Sequence, residues 1–292
     1  MKTIVPEQGI IHAFTPDTPA VAHVELGEIF QIKTIDALNG EVTRSNGFTS
    51  EINMTSTNPA TGPIHINGIE AGDMVGIEIL AIDVDPEGIG LSLDRYRKIS
   101  IKDGCAVFND SLFLPINPHI GVIGLAPAEG VHKCQIPGEH GGNLDTKEVC
   151  PGSMILIPAS VKGGGLAAGD VHAVMADGET NGAGLEVGST VTLRVTKIKD
   201  PSLEKIHILT DDKLIVLASA PSLEEASRLA MSRTSEVLMN HMHIDKYDAA
   251  LLSGYCCDLR ISQIVNPLKT VKILIPRKFL TVTDSSNSIK KE

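Results

Sequence analysis

The chain has 292 residues, with 25 Lys or Arg against 36 Asp or Glu and a formal net charge of −11. This acidic balance argues against nucleic acid or an anionic membrane as a partner, because phosphate binding needs clustered basic side chains. The aromatic residues are three Tyr, six Phe and no Trp, which leaves little surface for stacking on bases or caging a quaternary ammonium. A small polar ligand is therefore expected.

The cysteines and the N-terminus indicate a reducing compartment. Cys105, Cys134, Cys150, Cys256 and Cys257 are odd in number and form no CxxC pair, which argues against a disulfide framework or a zinc ribbon. No Cys–His signature surrounds the adjacent pair, so core thiols are favoured over a nucleophile. The first residues carry Pro and charges where a signal peptide needs an apolar run, and no window of about 18 apolar residues exists. We expect a soluble, cytoplasmic protein without a membrane span.

Short β-branched segments bounded by Gly, Pro, Asp or Asn dominate the chain up to about residue 220. They predict strands at residues 21–24, 29–35, 74–82, 191–198, 213–217 and, near the end, 270–275. Turn signals at a spacing of roughly 8–12 residues favour sandwich-like or barrel-like sheets over a βαβ fold. The predicted class is therefore mainly β (α+β).

A helical segment is predicted near the C-terminus, at about 222–254. Ser222 is a natural N-cap, and Glu224 and Glu225 lie in the first turn, where the helix dipole favours acids. The first helix is predicted to end near residue 242, and a second covers about 246–254. His241 and His243, at the end of the first helix, are interpreted as structural.

No low-complexity linker divides the chain. We expect one unit over 1–292, in which a weak boundary near 86–90 could separate two β subdomains, about 1–88 and 89–280. The polar tail 283–292 is expected to be flexible.

Acids and histidines concentrate beside glycines in residues 137–179. They are Glu139, His140, Asp145, Asp170, His172, Asp177 and Glu179. Asp170 and His172 are two residues apart, so an extended backbone places both on one face, where they can share a metal or orient each other. The alternative is a Gly-Asp turn followed by a structural histidine.

The spacing recurs at Asp177 and Glu179. Two acids on one face repel each other unless a cation or a shared proton lies between them. The alternative is an Asp-Gly turn, which the dipeptide by itself favours. Two such pairs within ten residues nevertheless favour a functional site.

Glycines also suggest where a ligand approaches the backbone. Gly141 and Gly142 lie among polar residues, and adjacent glycines allow close approach and free amides; a surface loop is the alternative. Asp36 follows an alternating strand and precedes Asn39-Gly40, a hairpin-turn signal, so a turn acid is the favoured interpretation.

The stretch EHGGNLDTKEVCPGSMILIPASVKGGGLAAGDVHAVMADGE (139–179) resembles the signature region of the acetamidase/formamidase family. The resemblance extends to residues 16–40, 58–83, 120–127 and 258–263 in the same order, and so covers most of the chain. Ala176 stands where the family usually has Gly, and Asn181 where it often has Cys, which bears on substrate choice.

The resemblance implies a mostly β, oligomeric enzyme, a homo-oligomer of dimer size or larger. Its expected reaction is hydrolysis of a short amide, formamide or acetamide, to ammonia and a carboxylate. The candidate catalytic residues are Glu139, Asp145, Asp170, His172 and Glu179. The candidate ligands of a divalent metal, zinc or calcium, are Asp145, Asp170, His172 and Asp177. The candidate substrate-binding residues are Asp36, Gly141, Gly142 and Asn143.

A hypothesis for the mechanism follows from the chemistry of amides. A metal held by His172 with Asp145 or Asp170 would lower the pKa of a water and polarise the carbonyl. Glu139 or Glu179 would move the proton to nitrogen, and the amides of the 141–143 segment would receive the oxyanion. Two alternatives stay open: a metal-dependent hydrolase of another small C–N substrate such as a lactam or carbamate, and a non-catalytic metal-binding or ligand-binding protein.

Overall fold

The computed structural model describes residues 1–41, 53, 55–92, 95–200 and 202–280, so the predicted tail 283–292 lies outside it. Strands of the first part are β1 (Lys2–Ile4), β2 (Ile10–Ile11), β3 (Ala13–Phe14), β4 (Ala22–Glu25), β5 (Ile29–Thr34), β6 (Ala60–Asn67), β7 (Met74–Val84), β8 (Glu87–Ser92), β9 (Arg95–Lys102), β10 (Cys105–Asn109) and β11 (Leu112–Pro115).

The second part adds eleven more strands and two α-helices. The strands are β12 (His119–Gly124), β13 (His132–Lys133), β14 (Gly141–Asn143), β15 (Met154–Pro158), β16 (Leu166–His172), β17 (Leu185–Val187), β18 (Ser189–Ile198), β19 (His207–Leu209), β20 (Lys213–Ala220), β21 (Asp258–Gln263) and β22 (Lys269–Pro276). The helices are α1 (Leu223–Met242) and α2 (Lys246–Cys256), and a 3-10 turn follows at Arg277–Phe279. None of the helices described is long and apolar enough to cross a membrane.

Two large sheets hold nearly all strands of the described residues. The nine-stranded sheet has the order β1–β5–β18–β7–β15–β19–β20–β22–β21. The eleven-stranded sheet has the order β11–β10–β9–β8–β17–β16–β12–β14, and β6 joins it by pairing with β16, β2 and β4. Neighbours are antiparallel except for β1–β5 and β4–β6. The predicted mainly β class is confirmed, whereas the division at about residue 88, which falls inside β8, stays a prediction.

Alternation along the strands builds the core. In β18, Val191, Leu193 and Val195 are buried while Thr192 and Arg194 are partly exposed, as a strand with one face on the core requires. Apolar side chains from both sheets pack into one cluster. The interior of the eleven-stranded sheet is thus shielded from water, and any polar group there needs a partner.

Helix α1 begins where the sequence predicts. Ser222 Oγ accepts a hydrogen bond from the Glu225 amide at 3.2 Å, and Glu225 Oε2 accepts one from the Ser222 amide at 3.2 Å, which is a complete capping box. The buried side of α1, with Ala226, Ala230 and Leu238, packs on a second apolar cluster with β20 and β22. The cap therefore fixes the helix that covers this end of the nine-stranded sheet.

Ser222→Ala is expected to lower the free energy of unfolding by about 1 kcal/mol, because the Glu225 amide loses its acceptor. Urea denaturation followed by circular dichroism measures the change. Ser232→Ala, an exposed mid-helix serine of α1, is the control and should be neutral, since Ala is the better helix former. Equal effects of the two substitutions would contradict a role for the cap.

The remaining structural interpretations concern histidines and cysteines. His241 Nε2 lies 2.7 Å from Ser202 Oγ, in the packing beneath α1, and His243 caps the helix in the left-handed conformation. All five cysteines, which lie within the described residues, are free thiols.

Candidate active site

Three neighbouring strands of the eleven-stranded sheet bring a row of polar side chains into the interior. His119 on β12 lies opposite His172 on β16, and His172 lies opposite Glu186 on β17. Side chains directly opposite each other have Cβ atoms about 5 Å apart. All three residues are at most 2% exposed. The register of the sheet therefore assembles residues that are far apart in sequence.

Three more carboxylates surround this row. We call Asp145, Asp170, His172, Glu179 and Glu186 the acid–histidine cluster. His172 Nε2 lies 3.3 Å from Glu186 Oε1, 3.8 Å from Asp170 Oδ1 and 4.0 Å from Asp145 Oδ1. Glu179 is the most exposed member, at only 6%. Four acids thus meet one imidazole in a space almost closed to water.

The backbone of three cluster acids is left-handed, with φ of 42° at Asp145, 55° at Asp170 and 46° at Glu179. Residues with a Cβ rarely adopt this region, and such strain persists only where the surroundings impose it. The stretch is a strand, β16, but Asp170 itself departs from the extended backbone that the spacing argument assumes, and its side chain still reaches His172. Local strain aims these carboxylates at the imidazole.

Close backbone approach requires a glycine beside the acids. A Cβ on Gly121 of β12 would lie 2.7 Å from Asp145 Oδ1, 2.7 Å from the Asp170 carbonyl oxygen and 2.9 Å from Asp170 Oδ2. Atoms at those distances overlap, so only Gly fits where the carboxylates lie against β12. Gly121 lies in the 120–127 segment that carried the family resemblance.

Two amides hold the outer oxygens of the aspartates. Asn58 Nδ2 donates to Asp170 Oδ2 at 2.6 Å, and Asn266 Nδ2 donates to Asp145 Oδ2 at 2.7 Å. Among the described residues, Asp145 Oδ1 and Asp170 Oδ1, which face His172, have no hydrogen-bond partner. The inner oxygens are thus left available to a ligand.

His119 determines which nitrogen of His172 faces the acids. His119 Nδ1 lies 3.1 Å from the Asn117 carbonyl oxygen, so this nitrogen carries the proton. Burial and the charge of His172 lower the pKa of His119 to about 3, so His119 is neutral and its Nε2 accepts from His172 Nδ1 at 3.2 Å. His172 Nε2 consequently faces the carboxylates either with a second proton or with a free lone pair for a cation.

The pKa values of the cluster are displaced by burial and by mutual charge. Burial, and then the charge of Glu179, raise the pKa of Asp145 well above its usual range. Burial raises the pKa of Glu179 to about 7 and that of Glu186 to about 7. Burial would lower the pKa of His172, but the charge of Glu186 and the nearby carboxylate of Asp170 raise it well above normal. Two carboxyl groups with a pKa near neutrality suit proton transfer.

The cluster fits a divalent cation. Asp145, Asp170 and His172 form one group whose ligand atoms all lie within 4.8 Å of one another, and His172, Glu179 and Glu186 form another. In the described part of the chain, Glu179 Oε2 and Glu186 Oε2 are also buried without a partner. Buried acids that lack partners repel one another, and a cation relieves that repulsion. Carboxylates with one imidazole are a donor set that zinc accepts.

Two predicted site residues lie away from the cluster. Asp177 contacts the ammonium groups of Lys272 at 2.6 Å and Lys147 at 3.1 Å, and Gly178, with φ of 94°, turns Glu179 in the other direction. The turn interpretation of Asp177-Gly178-Glu179 is therefore correct, and Asp177 is not brought together with the proposed metal ligands. Glu139 is half exposed and forms an ion pair with Arg233, so it too lies outside the cluster.

The predicted substrate-binding residues are not members of the acid–histidine cluster. Gly141 to Asn143 form β14, and the Gly141 amide donates to the Gly138 carbonyl, so that amide is not free for a substrate oxygen. Asp36 Oδ1 accepts from the amides of Leu38 and Gly40, as a turn acid does. Asp36 and Glu186 also line the same cavity of about 210 Å³. This cavity adjoins the cluster and is large enough for a small amide.

Sequence reasoning missed His119, Glu186, Asn58 and Asn266 as site residues. Glu186 lies in Gly184-Leu185-Glu186-Val187-Gly188, so the signal of an acid beside glycines continues past residue 179. His119 has no comparable local signal, because only strand pairing brings it to His172.

Comparison with known proteins agrees with the sequence pattern. The Acetamidase/Formamidase family matches residues 3–111 and 126–281. The crystal structure of acetamidase from Bacillus halodurans is 33% identical, with a TM-score of 0.91 over 95% of this chain and 98% of that one. A predicted acetamidase/formamidase from Thermoanaerobacter tengcongensis is 33% identical, with a TM-score of 0.90 over 95% of this chain and 96% of that one.

A curated relative is more distant. The formamidase of Methylophilus methylotrophus is 25% identical, and the match covers 68% of this chain and 69% of the relative. The family match spans most of the chain. The residues that carried the resemblance include Asp145, Asp170, His172 and Glu179, four of the five cluster members, and Gly121. The chain belongs to the acetamidase/formamidase family.

Proposed function

We propose that the protein hydrolyses a short aliphatic amide, formamide or acetamide, to ammonia and a carboxylate at the acid–histidine cluster. Its family makes it an amidase that acts on carbon–nitrogen bonds other than peptide bonds. The observation that carries the assignment of the site is the set of buried carboxylate oxygens without partners around His172 Nε2.

In this proposal Asp145, Asp170 and His172 hold a divalent cation. When bound, such a cation supplies Lewis acidity, which polarises an amide carbonyl and lowers the pKa of a water molecule. The hydrogen bond from His172 Nδ1 to His119 keeps Nε2 directed at the acids, and Asn58 and Asn266 hold the outer oxygens of the aspartates. These contacts keep the donors in place before substrate arrives.

Glu179 is assigned the proton transfer. With a pKa of about 7, its carboxyl group can take a proton from the attacking water and return it to the amide nitrogen. The C–N bond then breaks and ammonia leaves. The acyl carbon keeps the water oxygen as a carboxylic acid, whose remaining proton passes to the ammonia or to solvent to give the carboxylate. Glu186 lies 3.3 Å from His172 Nε2, so Glu179 is the acid less tied to the imidazole.

The direct test is ammonia release from millimolar formamide and acetamide, together with elemental analysis of the purified protein. A γ-lactam and a carbamate belong in the same panel. A pocket discriminates small substrates weakly, since one methylene group changes the binding free energy by only about 1–3 kcal/mol. Ammonia release from neither amide would reject the proposed function. Ammonia from the carbamate alone, or the ring-opened amino acid from the lactam alone, would favour the alternative substrates.

Glu179→Gln is expected to lower kcat by about 10²–10⁴-fold, since the amide cannot accept the proton. The variant keeps the size of the side chain, so folding should be unchanged. Glu78→Gln is the matched control, because Glu78 on β7 is a partly buried acid paired with Arg194 on β18. Steady-state kinetics at saturating amide measure both. If Glu179→Gln retains the wild-type kcat, the proton acceptor lies elsewhere.

A further inference from the structure

A fully buried lysine contacts two carboxylates that lie close in sequence to acids of the acid–histidine cluster. Lys272 on β22 is 0% exposed, and its Nζ lies 2.6 Å from Glu148 Oε2 and 2.6 Å from Asp177 Oδ1. Lys147 Nζ lies 3.1 Å from the other oxygen of Asp177. Two ammonium groups therefore balance two carboxylates, as burial of charge requires. Lys272 itself is not a member of the cluster.

Both carboxylates belong to segments that carry cluster acids. Glu148 follows Asp145 by three residues, and Asp177 precedes Glu179 by two. Lys272, together with the Lys147–Asp177 pair, thus joins the two segments through side chains.

The β21–β22 hairpin makes further contacts with the same two segments. The Gly178 amide donates to the Ser262 carbonyl at 2.9 Å, and the Ile264 amide donates to the Gly178 carbonyl at 3.1 Å. Thr146 Oγ1 donates to Ser262 Oγ at 2.9 Å. The hairpin therefore holds the residue before Glu179 and the residue after Asp145.

These contacts explain how a left-handed backbone persists at two cluster acids. Asp145 and Glu179 have φ of 42° and 46°, and such conformations revert unless neighbouring structure imposes them. A buried ion pair contributes little net stability compared with an apolar packing of the same volume, but it does impose one geometry. The buried lysine is therefore better explained by the geometry that it imposes on the two segments than by a contribution to the free energy of unfolding.

We propose that Lys272 is a positioning residue, which ties the segments of Asp145 and Glu179 to the β21–β22 hairpin and so sets the geometry of the acid–histidine cluster. Its catalytic consequence rests on the proposed function, whereas its effect on the two segments does not. Lys272 touches neither substrate nor the cluster side chains, so it acts only through Glu148 and Asp177.

The test compares full-length wild type with Lys272→Met, which removes the ammonium and keeps a long side chain. Zinc affinity of the metal-stripped protein is expected to fall about 10-fold. This is the low end of the about 10–100-fold seen when a group bonded directly to a metal ligand is lost, because Lys272 acts on the ligands only through their segments. For formamide, kcat should fall by a similar factor while KM changes little. Hydrogen exchange should become faster in residues 143–149 and 176–182 and stay unchanged in β5 and β18.

Asp177→Asn is the second variant, because a charge lost at a partly exposed position is tolerated more easily than one lost at a buried lysine. Faster exchange at 176–182 and a weaker zinc affinity are expected. The control is Asp73→Asn, which breaks another Asp–Lys pair of 2.6 Å, with Lys197, and should change neither. The two variants share the loss of the Lys272–Asp177 contact, so the double variant should lose less than the sum of the two single losses.

Three outcomes decide the proposal. Localised exchange changes in both segments, with weakened zinc binding, support it. Wild-type exchange and zinc affinity in a folded Lys272→Met or Asp177→Asn variant overturn it, even if the melting temperature falls. If wild type releases no ammonia, the proposed function fails, and the exchange data still decide whether Lys272 positions the two segments.

Discussion

His172→Ala is expected to abolish measurable ammonia release, a loss of more than about 10³-fold. His172 is common to both groups of potential metal ligands, and its Nε2 lies within 4.0 Å of three cluster acids. Loss of Lewis-acid stabilisation costs several kcal/mol, and each 1.36 kcal/mol is tenfold in rate. The four buried carboxylates of the cluster would also lose the imidazole that either carries a positive charge beside them or helps to bind a cation. Their mutual repulsion would then increase.

The measurement is kcat for formamide together with the zinc content of wild type and variant. His207→Ala is the matched control, because His207 is also 1% exposed and lies on β19 of the other sheet. It removes the same atoms and leaves a similar cavity, so it reports the cost of truncating a buried histidine. Rates that fall equally in both variants would contradict a special role for His172.

Gly121→Ala is expected to reduce activity by at least about 100-fold, although the change adds one methyl group. The new Cβ would lie 2.7 Å from both Asp145 Oδ1 and the Asp170 carbonyl oxygen. The carbonyl belongs to β16, which is paired with β12, so the clash cannot be relieved by rotating a side chain. A displacement of a reacting group by about 1 Å can lower the reaction rate by about 10²-fold.

Gly254→Ala is the control for this prediction. Nothing lies within 4 Å of the position its Cβ would take in α2, and Ala is the better helix former, so activity and stability should be retained. Kinetics and thermal melting of both variants separate loss of site geometry from loss of fold. A Gly121→Ala enzyme with the wild-type rate would show that the aspartates need not lie against β12.

Local patterns in the sequence predicted six of the strands and both α-helices of the described residues. Alternation predicted β18, and the cap at Ser222 with acids in the first turn predicted α1 at its observed start. These features depend on neighbours within a few residues, so the sequence carries them directly. The predicted strand at 74–82 is confirmed as β7, Met74–Val84.

The sequence also indicated most of the candidate site. The acids and histidines beside glycines, together with the family resemblance, predicted Asp145, Asp170, His172 and Glu179, and the structure brings these four together. The rule that residues two apart share one face was less informative than the concentration of acids and histidines. That rule assumes an extended backbone, whereas Asp170 is left-handed and Gly178 forms a turn. Asp177 shows the difference, since it shares the motif but contacts lysines.

The sequence by itself determined the mainly β class, the position of the helices and the segment that supplies the acids, since each depends on local periodicity or composition. Tertiary structure alone decided which acids meet. The register of β12, β16 and β17 adds His119 and Glu186 to His172, and the buried Lys272 draws Asp177 away. Both outcomes depend on strand pairing and on the balance of buried charge across distant segments, which no local pattern encodes.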